Sequence, residues 1–147
     1  MRVLLLSGPN LNKLGSRDPA VYGTTTLAEV VAAVRERLGD RAELRDFQSN
    51  HEGALIDWLQ AESAGADGVI INPGGLAHYS VALRDALADT NLPVVEVHIS
   101  DPATREPFRH SFITATAARA LITGKGWQGY LEAVDTLIPL IRKDDTA

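Results

Sequence analysis

The sequence predicts a single α/β domain built on a five-stranded parallel sheet with helices on both faces. Three observations predict it. Short, almost continuously apolar runs recur at Val3–Leu6, Val69–Ile71, Val94–Val97 and Ala120–Ile122, the pattern of strands buried on both faces of a parallel sheet. Segments with helical spacing alternate with these runs. The chain, at 147 residues, has room for one core and little more. Such alternation implies right-handed crossovers in a doubly wound sheet. Five strands suit the flavodoxin-like order 2-1-3-4-5, in which ligands bind outside the carboxyl ends of the strands.

The first strand, Val3–Leu6, stops at Ser7-Gly8-Pro9. Its charged start followed by leucines is too short for a signal peptide. A polar stretch of about residues 15–25 follows, long for a strand-to-helix connection and readable as a lid. Thr26-Leu27-Ala28-Glu29 has the spacing of a capping box, and Val30, Val31, Val34 and Leu38 continue a helix that Gly39 can close. Ala42–Phe47 carries charges and reads as an edge or half-exposed strand. Leu55, Ile56, Leu59 and Ala64 mark a second helix; Val81, Leu83 and Leu87 mark a third, capped by Ser80. A long loop then precedes Ala120–Ile122. Leu131, Val134, Leu137, Ile138 and Ile141 mark the last helix, which Pro139 is expected to bend or end early, leaving a frayed tail from Arg142 to Ala147. No repeat or linker interrupts the pattern, so residues 1–147 read as one domain.

Composition narrows the function. The chain has no cysteine, which excludes disulfides, thiolate catalysis and cysteine-held metals. A formal net charge of −5 argues against nucleic acid as a partner, though a local arginine cluster can still receive a small anion. The apolar runs are too short to span a bilayer, so no membrane association is expected and the expected location is the cytoplasm. His51 and His110 show no metal-ligand spacing with the other histidines, and neither a G-x-G-x-x-G nor a Walker A sequence is present. No metal and no cofactor are expected.

Polar residues collect after the buried strands. Gly8-Pro9-Asn10-Leu11-Asn12 follows the first, and Asn72-Pro73-Gly74-Gly75 with His78 follows the third. The fourth ends in Glu96-Val97-His98-Ile99-Ser100, with Arg105 and Arg109 beyond it. A lone Asn after a strand is usually a turn former. It is the convergence on one sheet edge that points to a site. Glu96 and His98 share a face, and a carboxylate beside an imidazole fixes its tautomer; a buried ion pair without chemistry is the alternative. Arg17 and Tyr22 lie in the polar stretch. A guanidinium close to a phenol favours the phenolate, but on these two residues alone a surface loop is the preferred reading. Binding modules of this fold fit less well. A flavin loop would be rich in Ser and Thr, and a phosphoacceptor domain would carry acids where Asn10 and Asn72 stand.

Taken together, five ordered blocks resemble the type II 3-dehydroquinate dehydratases, over nearly the whole chain from Val3 to about Val134. They are Gly8–Asn12 with Leu14-Gly15, Arg17 and Val21-Tyr22-Gly23; Gln48–Gly53; Asn72–Gly75 through Ala86; Glu96–Ser100 with Arg105–Arg109; and Gly129-Tyr130. The resemblance implies a metal-free hydro-lyase acting on 3-dehydroquinate by anti elimination through an enolate. Tyr22 is implied as base, aided by Arg17, with Asn10 holding a water against the enolate oxygen. His98, oriented by Glu96, is implied as acid. Asn72 and the backbone amides of Ile99 and Ser100 are implied to hold the carboxylate. His78 and Arg109 are implied to hold ring hydroxyls, with Arg105 adding positive charge. Asp85 is implied to reach a neighbouring subunit's site, in trimers that assemble into a dodecamer. Departures from the family pattern are Asp101–Thr104, Ala120, and the segment after Arg109, where either one residue is missing or Ser111 and Phe112 replace the usual His and Ser; normal spacing on to Gly129-Tyr130 favours replacement. None of these departures is expected to touch Tyr22, Arg17 or His98.

Overall fold

The computed structural model describes residues 1–146. The first strand, β1 (Arg2–Ser7), forms because every residue from Val3 to Leu6 has apolar partners on both faces; all four are 0% exposed. Burying a side chain of that size contributes about 1.5–3 kcal/mol, enough for such a run to anchor the sheet centre. After it come a four-residue helix α1 (Pro19–Tyr22) and helix α2 (Leu27–Leu38). The capping box at the start of α2 is complete. Thr26 Oγ1 accepts from the Glu29 N–H at 3.2 Å, and Glu29 Oε1 accepts from the Thr26 N–H at 3.2 Å. Gly39 closes the helix at φ +55°, a left-handed value that favours glycine.

Strand β2 (Glu43–Gln48) and helix α3 (Glu52–Glu62) follow, then β3 (Gly68–Asn72) and α4 (Val81–Asp89). Ser80 caps α4, its hydroxyl accepting from the Leu83 N–H at 3.0 Å. Strands β4 (Val94–Val97) and β5 (Ala120–Ile122) and helix α5 (Gly129–Asp145) complete the chain. All strand pairings are parallel and the order is β2-β1-β3-β4-β5. Alternation along the strands divides the core into two layers. Val3, Leu5, Ile70, Val95 and Val97 pack with α2 and α5, while Leu4, Leu6, Val69, Ile71 and Val94 pack with α3 and α4. By the same alternation Glu96 and His98 fall on the α3 and α4 side.

Three details differ from the sequence reading. Ala120–Ile122, at the sheet edge where the order 2-1-3-4-5 puts it, is not buried on both faces: Leu121 is 42% exposed. Pro139 does not end α5. Pro139 and Asp135, the residue whose carbonyl the proline leaves without a helix partner, both lie on the exposed side, where water can satisfy that carbonyl. Buried Leu137, Ile138 and Ile141 hold the helix to the sheet across the proline. Nor is the segment from Arg142 a loose tail. It remains helical to Asp145, and Arg119 grips Asp144 through two hydrogen bonds of 2.8 Å; Ala147 lies outside the described residues. Among the described residues no helix is long and apolar enough to cross a membrane.

Candidate active site

The carboxyl ends of β1, β3 and β4 open on a cavity of about 140 Å³. The loop after β1 is pressed against the loop after β3. The Gly8 N–H donates to the Asn72 carbonyl at 2.8 Å, and a Cβ on Gly8 would stand 2.3 Å from the Pro73 carbonyl oxygen. Only glycine permits that approach. Asn10 follows in a left-handed conformation, φ 71°, which asparagine tolerates. Its N–H donates to Asn50 Oδ1 at 2.9 Å, and Gln48 Nε2 donates to both the Gly8 carbonyl and Asn50 Oδ1 at 3.2 Å. The Gln48–Gly53 block thus buttresses the loop that carries Asn10 into the cavity.

Asn72, at the end of β3, is 3% exposed and lines the cavity. Its amide is fixed from both ends. Nδ2 donates to the Tyr130 hydroxyl at 2.8 Å, and Oδ1 accepts from the Gly74 N–H at 3.1 Å. Burial pushes the Tyr130 phenol up to about 12, against the opposing effect of the Asn72 hydrogen bond, so Tyr130 is a neutral fixture on α5. His78 enters the cavity from the turn after β3. Its Nδ1 is 2.7 Å from the Ser111 carbonyl oxygen. A carbonyl only accepts, so Nδ1 carries the proton and Nε2 is left for a ligand.

His98, just beyond β4, is 8% exposed, and its Nε2 is 2.7 Å from Oε2 of the fully buried Glu96. The other carboxylate oxygen accepts from the Thr114 hydroxyl at 2.5 Å. Glu96 stands behind His98 and does not itself line the cavity. Phe112 packs against both histidines, with ring centroids 5.2 Å from His78 and 5.0 Å from His98. The expectation that the atypical segment stays clear of His98 is therefore corrected. Phe112 meets the ring directly, and Ser111 supplies the carbonyl that sets the His78 tautomer.

Arg17 and Tyr22 arrive on the segment that holds α1. Asp18 caps that helix, and Gly15 and Gly23 flank the segment at φ +94° and +73°. Arg17 Nη2 donates to the Tyr22 hydroxyl at 3.1 Å and its guanidinium lies 3.8 Å from the ring centroid. Arg105 Nη1 donates to the same hydroxyl at 2.9 Å and to Ser100 Oγ at 3.3 Å. Arg105 is thus a second direct partner of the phenol, where the sequence offered it only as nearby charge. Two donors with full positive charge stabilise that oxygen when it is negative. Arg109 also lines the cavity, with Nε on Glu106 Oε2 at 2.7 Å. The Glu106 carboxyl is held below the usual range by its own backbone N–H first, and by Arg109 second. Ile99 and Ser100 line the cavity, and their carbonyls are anchored by the N–H groups of Gly126 and Gly124 at 3.2 and 3.0 Å.

Eleven of the expected site residues therefore fall in or directly behind one cavity: Asn10, Arg17, Tyr22, Asn72, His78, Glu96, His98, Ile99, Ser100, Arg105 and Arg109. Asp85 does not. It sits exposed on α4, paired with Arg84 at 3.2 Å. Asn50, Phe112, Thr114 and Tyr130 were not singled out for such contacts from sequence. Among the described residues, no group of three or more His, Cys, Asp or Glu is arranged to hold a metal ion. A phenol flanked by two guanidiniums and an imidazole backed by a carboxylate, facing one cavity, can remove one proton and deliver another.

Known proteins place the chain in a family. The family model described as Dehydroquinase class II matches residues 1–138. The chain is 54% identical over 139 residues to the 3-dehydroquinate dehydratase of Roseiflexus castenholzii, covering 94% of this chain and 88% of that one. It is 50% identical over 143 residues to the 3-dehydroquinate dehydratase of Halothermothrix orenii, covering 97% of each. The crystal structure of type II dehydroquinase from Butyrivibrio crossotus superposes with a TM-score of 0.90 at 42% identity, covering 94% of this chain and 97% of that one. The chain belongs to the class II dehydroquinase family.

Proposed function

We propose that this enzyme catalyses the reversible dehydration of 3-dehydroquinate to 3-dehydroshikimate by anti elimination through an enolate. The reaction would serve the shikimate route to aromatic amino acids or the breakdown of quinate. The observation that carries the reading is the Tyr22 hydroxyl, which takes N–H donors from both Arg17 and Arg105 in the cavity that also receives His98.

The Tyr22 phenolate takes a proton from the carbon beside the ketone. The electron pair moves to the ketone oxygen, and Asn10 holds a water against the charge that develops there. The enolate then collapses and the bond to the β-hydroxyl breaks. His98, protonated on both nitrogens, gives up the Nδ1 proton while Nε2 stays on Glu96, and water departs. Asn72 and the N–H groups of Ile99 and Ser100 receive the carboxylate; His78 and Arg109 receive ring hydroxyls. Asp85 reaches the substrate of a neighbouring subunit, which makes a trimer the active unit and a dodecamer the larger assembly. Its exposed position away from this chain's own cavity supports that assignment. An active monomer in sedimentation analysis would remove Asp85 from the site. A cytoplasmic location and independence from metals and cofactors belong to the same proposal. No covalent intermediate is required: Lys13, Lys125 and Lys143 are the only lysines, and none lines the cavity.

The test is to add 3-dehydroquinate to metal-free protein and follow the ultraviolet absorbance of the conjugated enone. Absorbance should rise at once. Its absence, with turnover of a different hydroxy-keto acid, would move the protein to another hydro-lyase substrate; flavin binding or phosphate acceptance in its place would make it a binding or signalling module.

A further inference from the structure

Both oxygens of the Glu96 carboxylate are engaged. Oε2 faces His98 Nε2 at 2.7 Å, and Oε1 takes the Thr114 hydroxyl. Glu96 and Thr114 are 0% exposed and His98 8%. A carboxylate shut away from water stays charged and fixed only when its oxygens have donors. With one donor it could turn about its terminal torsion, which is soft and broad; with two it has one orientation. We infer that Thr114 is a positioning residue for the reaction, holding Glu96 so that the carboxylate aims the His98 imidazole into the cavity. The inference rests on the reading of His98 as the acid.

Thr114 is itself well placed to hold. It opens a turn at Thr114–Ala117 packed beside α4. The preceding Ile113 N–H donates to the Ala77 carbonyl at 2.7 Å, and Ser111 O receives His78 Nδ1 at 2.7 Å. Four residues of one loop therefore tie the strand-end carrying His98 to the turn carrying His78. Thr114 does not line the cavity, so it acts on substrate only through Glu96 and His98. The other titratable groups near the pair are His78, with its ring centroid 6.3 Å from that of His98, and Arg17, Tyr22, Arg105 and Arg109 around the cavity; Tyr130 of α5 is committed to Asn72. The Thr114 hydroxyl donates to Glu96 and to none of them.

The experiment compares Thr114→Val, which keeps the shape and loses the hydroxyl, with Thr114→Ser, which keeps the hydroxyl and loses a methyl. A hydrogen bond to a buried charge is of a size to matter about 10- to 100-fold. Thr114→Val should lower kcat by about that factor with KM nearly unchanged, and Thr114→Ser should restore most of it. A carboxylate with one donor fewer holds its shared proton harder. The limb of the kcat–pH profile that reports the acid should therefore move to higher pH in the Val variant and return in the Ser variant. Circular dichroism and thermal melting confirm folding; should Thr114→Val not fold, Thr114→Ala takes its place against Ser. Histidine-selective NMR titration follows the His98 ring whether or not 3-dehydroquinate is turned over. A parent without turnover would defeat the functional reading, while an unchanged His98 titration in the Val variant would defeat this assignment. A Ser variant as impaired as the Val variant would also overturn it, because a purely packing role predicts that outcome.

Discussion

The two halves of the site are built by opposite means. The side that holds the proposed acid is part of the core. His98 stands at the end of β4, Glu96 has no exposed surface, and Thr114 and Phe112 close around them. The side that holds the proposed base is carried outside the core. Tyr22 sits half-buried at the end of a four-residue helix, on a segment bounded by two glycines with positive φ, and two arginines hold its hydroxyl. In the proposed mechanism the two roles make different demands. The imidazole must keep one orientation while it delivers its proton, so it is placed where close packing fixes it. The phenol must admit a substrate before it meets it, so it is placed on a segment that makes few buried contacts. Substitutions on each side test this division of labour.

The largest effect is expected from Tyr22→Phe. One oxygen is lost and the ring stays, so packing is nearly unchanged and circular dichroism should match the parent. Loss of a general base typically costs about 10²–10⁴-fold in rate, and kcat should fall by that much. Near-native turnover would show that the base is another group and that the segment serves only as a cover.

How far the sequence already carried this division is visible residue by residue. The buried strands were legible because a run such as Val3–Leu6 has apolar partners on both sides, and the start of α2 because Thr26 and Glu29 cap it locally. The residues at the strand ends were legible because a doubly wound sheet brings strand ends to one edge. Arg17 and Tyr22 were legible only through resemblance to a family, since a polar loop with one Arg and one Tyr has no signature of its own. Thr114 left no local mark. It is 18 residues from Glu96, in a run of Thr and Ala, and only the return of the long loop over β4 joins them. Tyr130 was hidden in the opposite way: on an apolar helix face it looks like core, and its one polar contact, with Asn72, spans 58 residues. The order 2-1-3-4-5 already put β5 at the sheet edge; its partial exposure was missed because its three residues are all apolar, although one face of the strand is left open.

A smaller effect should separate the two arginines. Arg17 lies over the Tyr22 ring as well as on its hydroxyl, whereas Arg105 also holds Ser100 beside the amides proposed to receive the carboxylate. Each donates one charged hydrogen bond, and such bonds are worth about 1.5–3 kcal/mol, or roughly 10- to 100-fold. Arg17→Ala should lower kcat and move the limb of the pH–rate profile that reports the base to higher pH. Arg105→Ala should do the same and raise KM in addition. If Arg105→Ala leaves the pH profile in place while KM rises, Arg105 serves the substrate and not the base. Lysine at either position keeps the charge but not the planar fork, so Arg17→Lys should recover only part of the loss.

The smallest effect belongs to Tyr130, which holds Asn72, and it is read in stability. Tyr130→Phe removes the hydroxyl that accepts from Asn72 Nδ2 and leaves a buried donor with one partner fewer, at about 1–3 kcal/mol. Chemical denaturation at neutral pH should show that loss, with kcat lowered only slightly because Gly74 still holds Asn72 Oδ1. The alkaline range distinguishes this from generic packing. The folded phenol is pushed up to about 12 by burial, from an ordinary value of 10.0. Below the ordinary value both folded and unfolded states keep the proton, and the stabilising contribution of Tyr130 is fully present. As pH rises toward the folded value the unfolded chain ionises first, and the contribution declines by up to about 1.4 kcal/mol per pH unit. The Phe variant has no such decline. The stability gap between parent and variant should therefore narrow through that window, and the other alkaline groups cancel because both proteins share them. A gap that stays constant through the window would mean that Tyr130 ionises as freely in the fold as outside it. Asn72 would then be held by something other than a buried, neutral phenol.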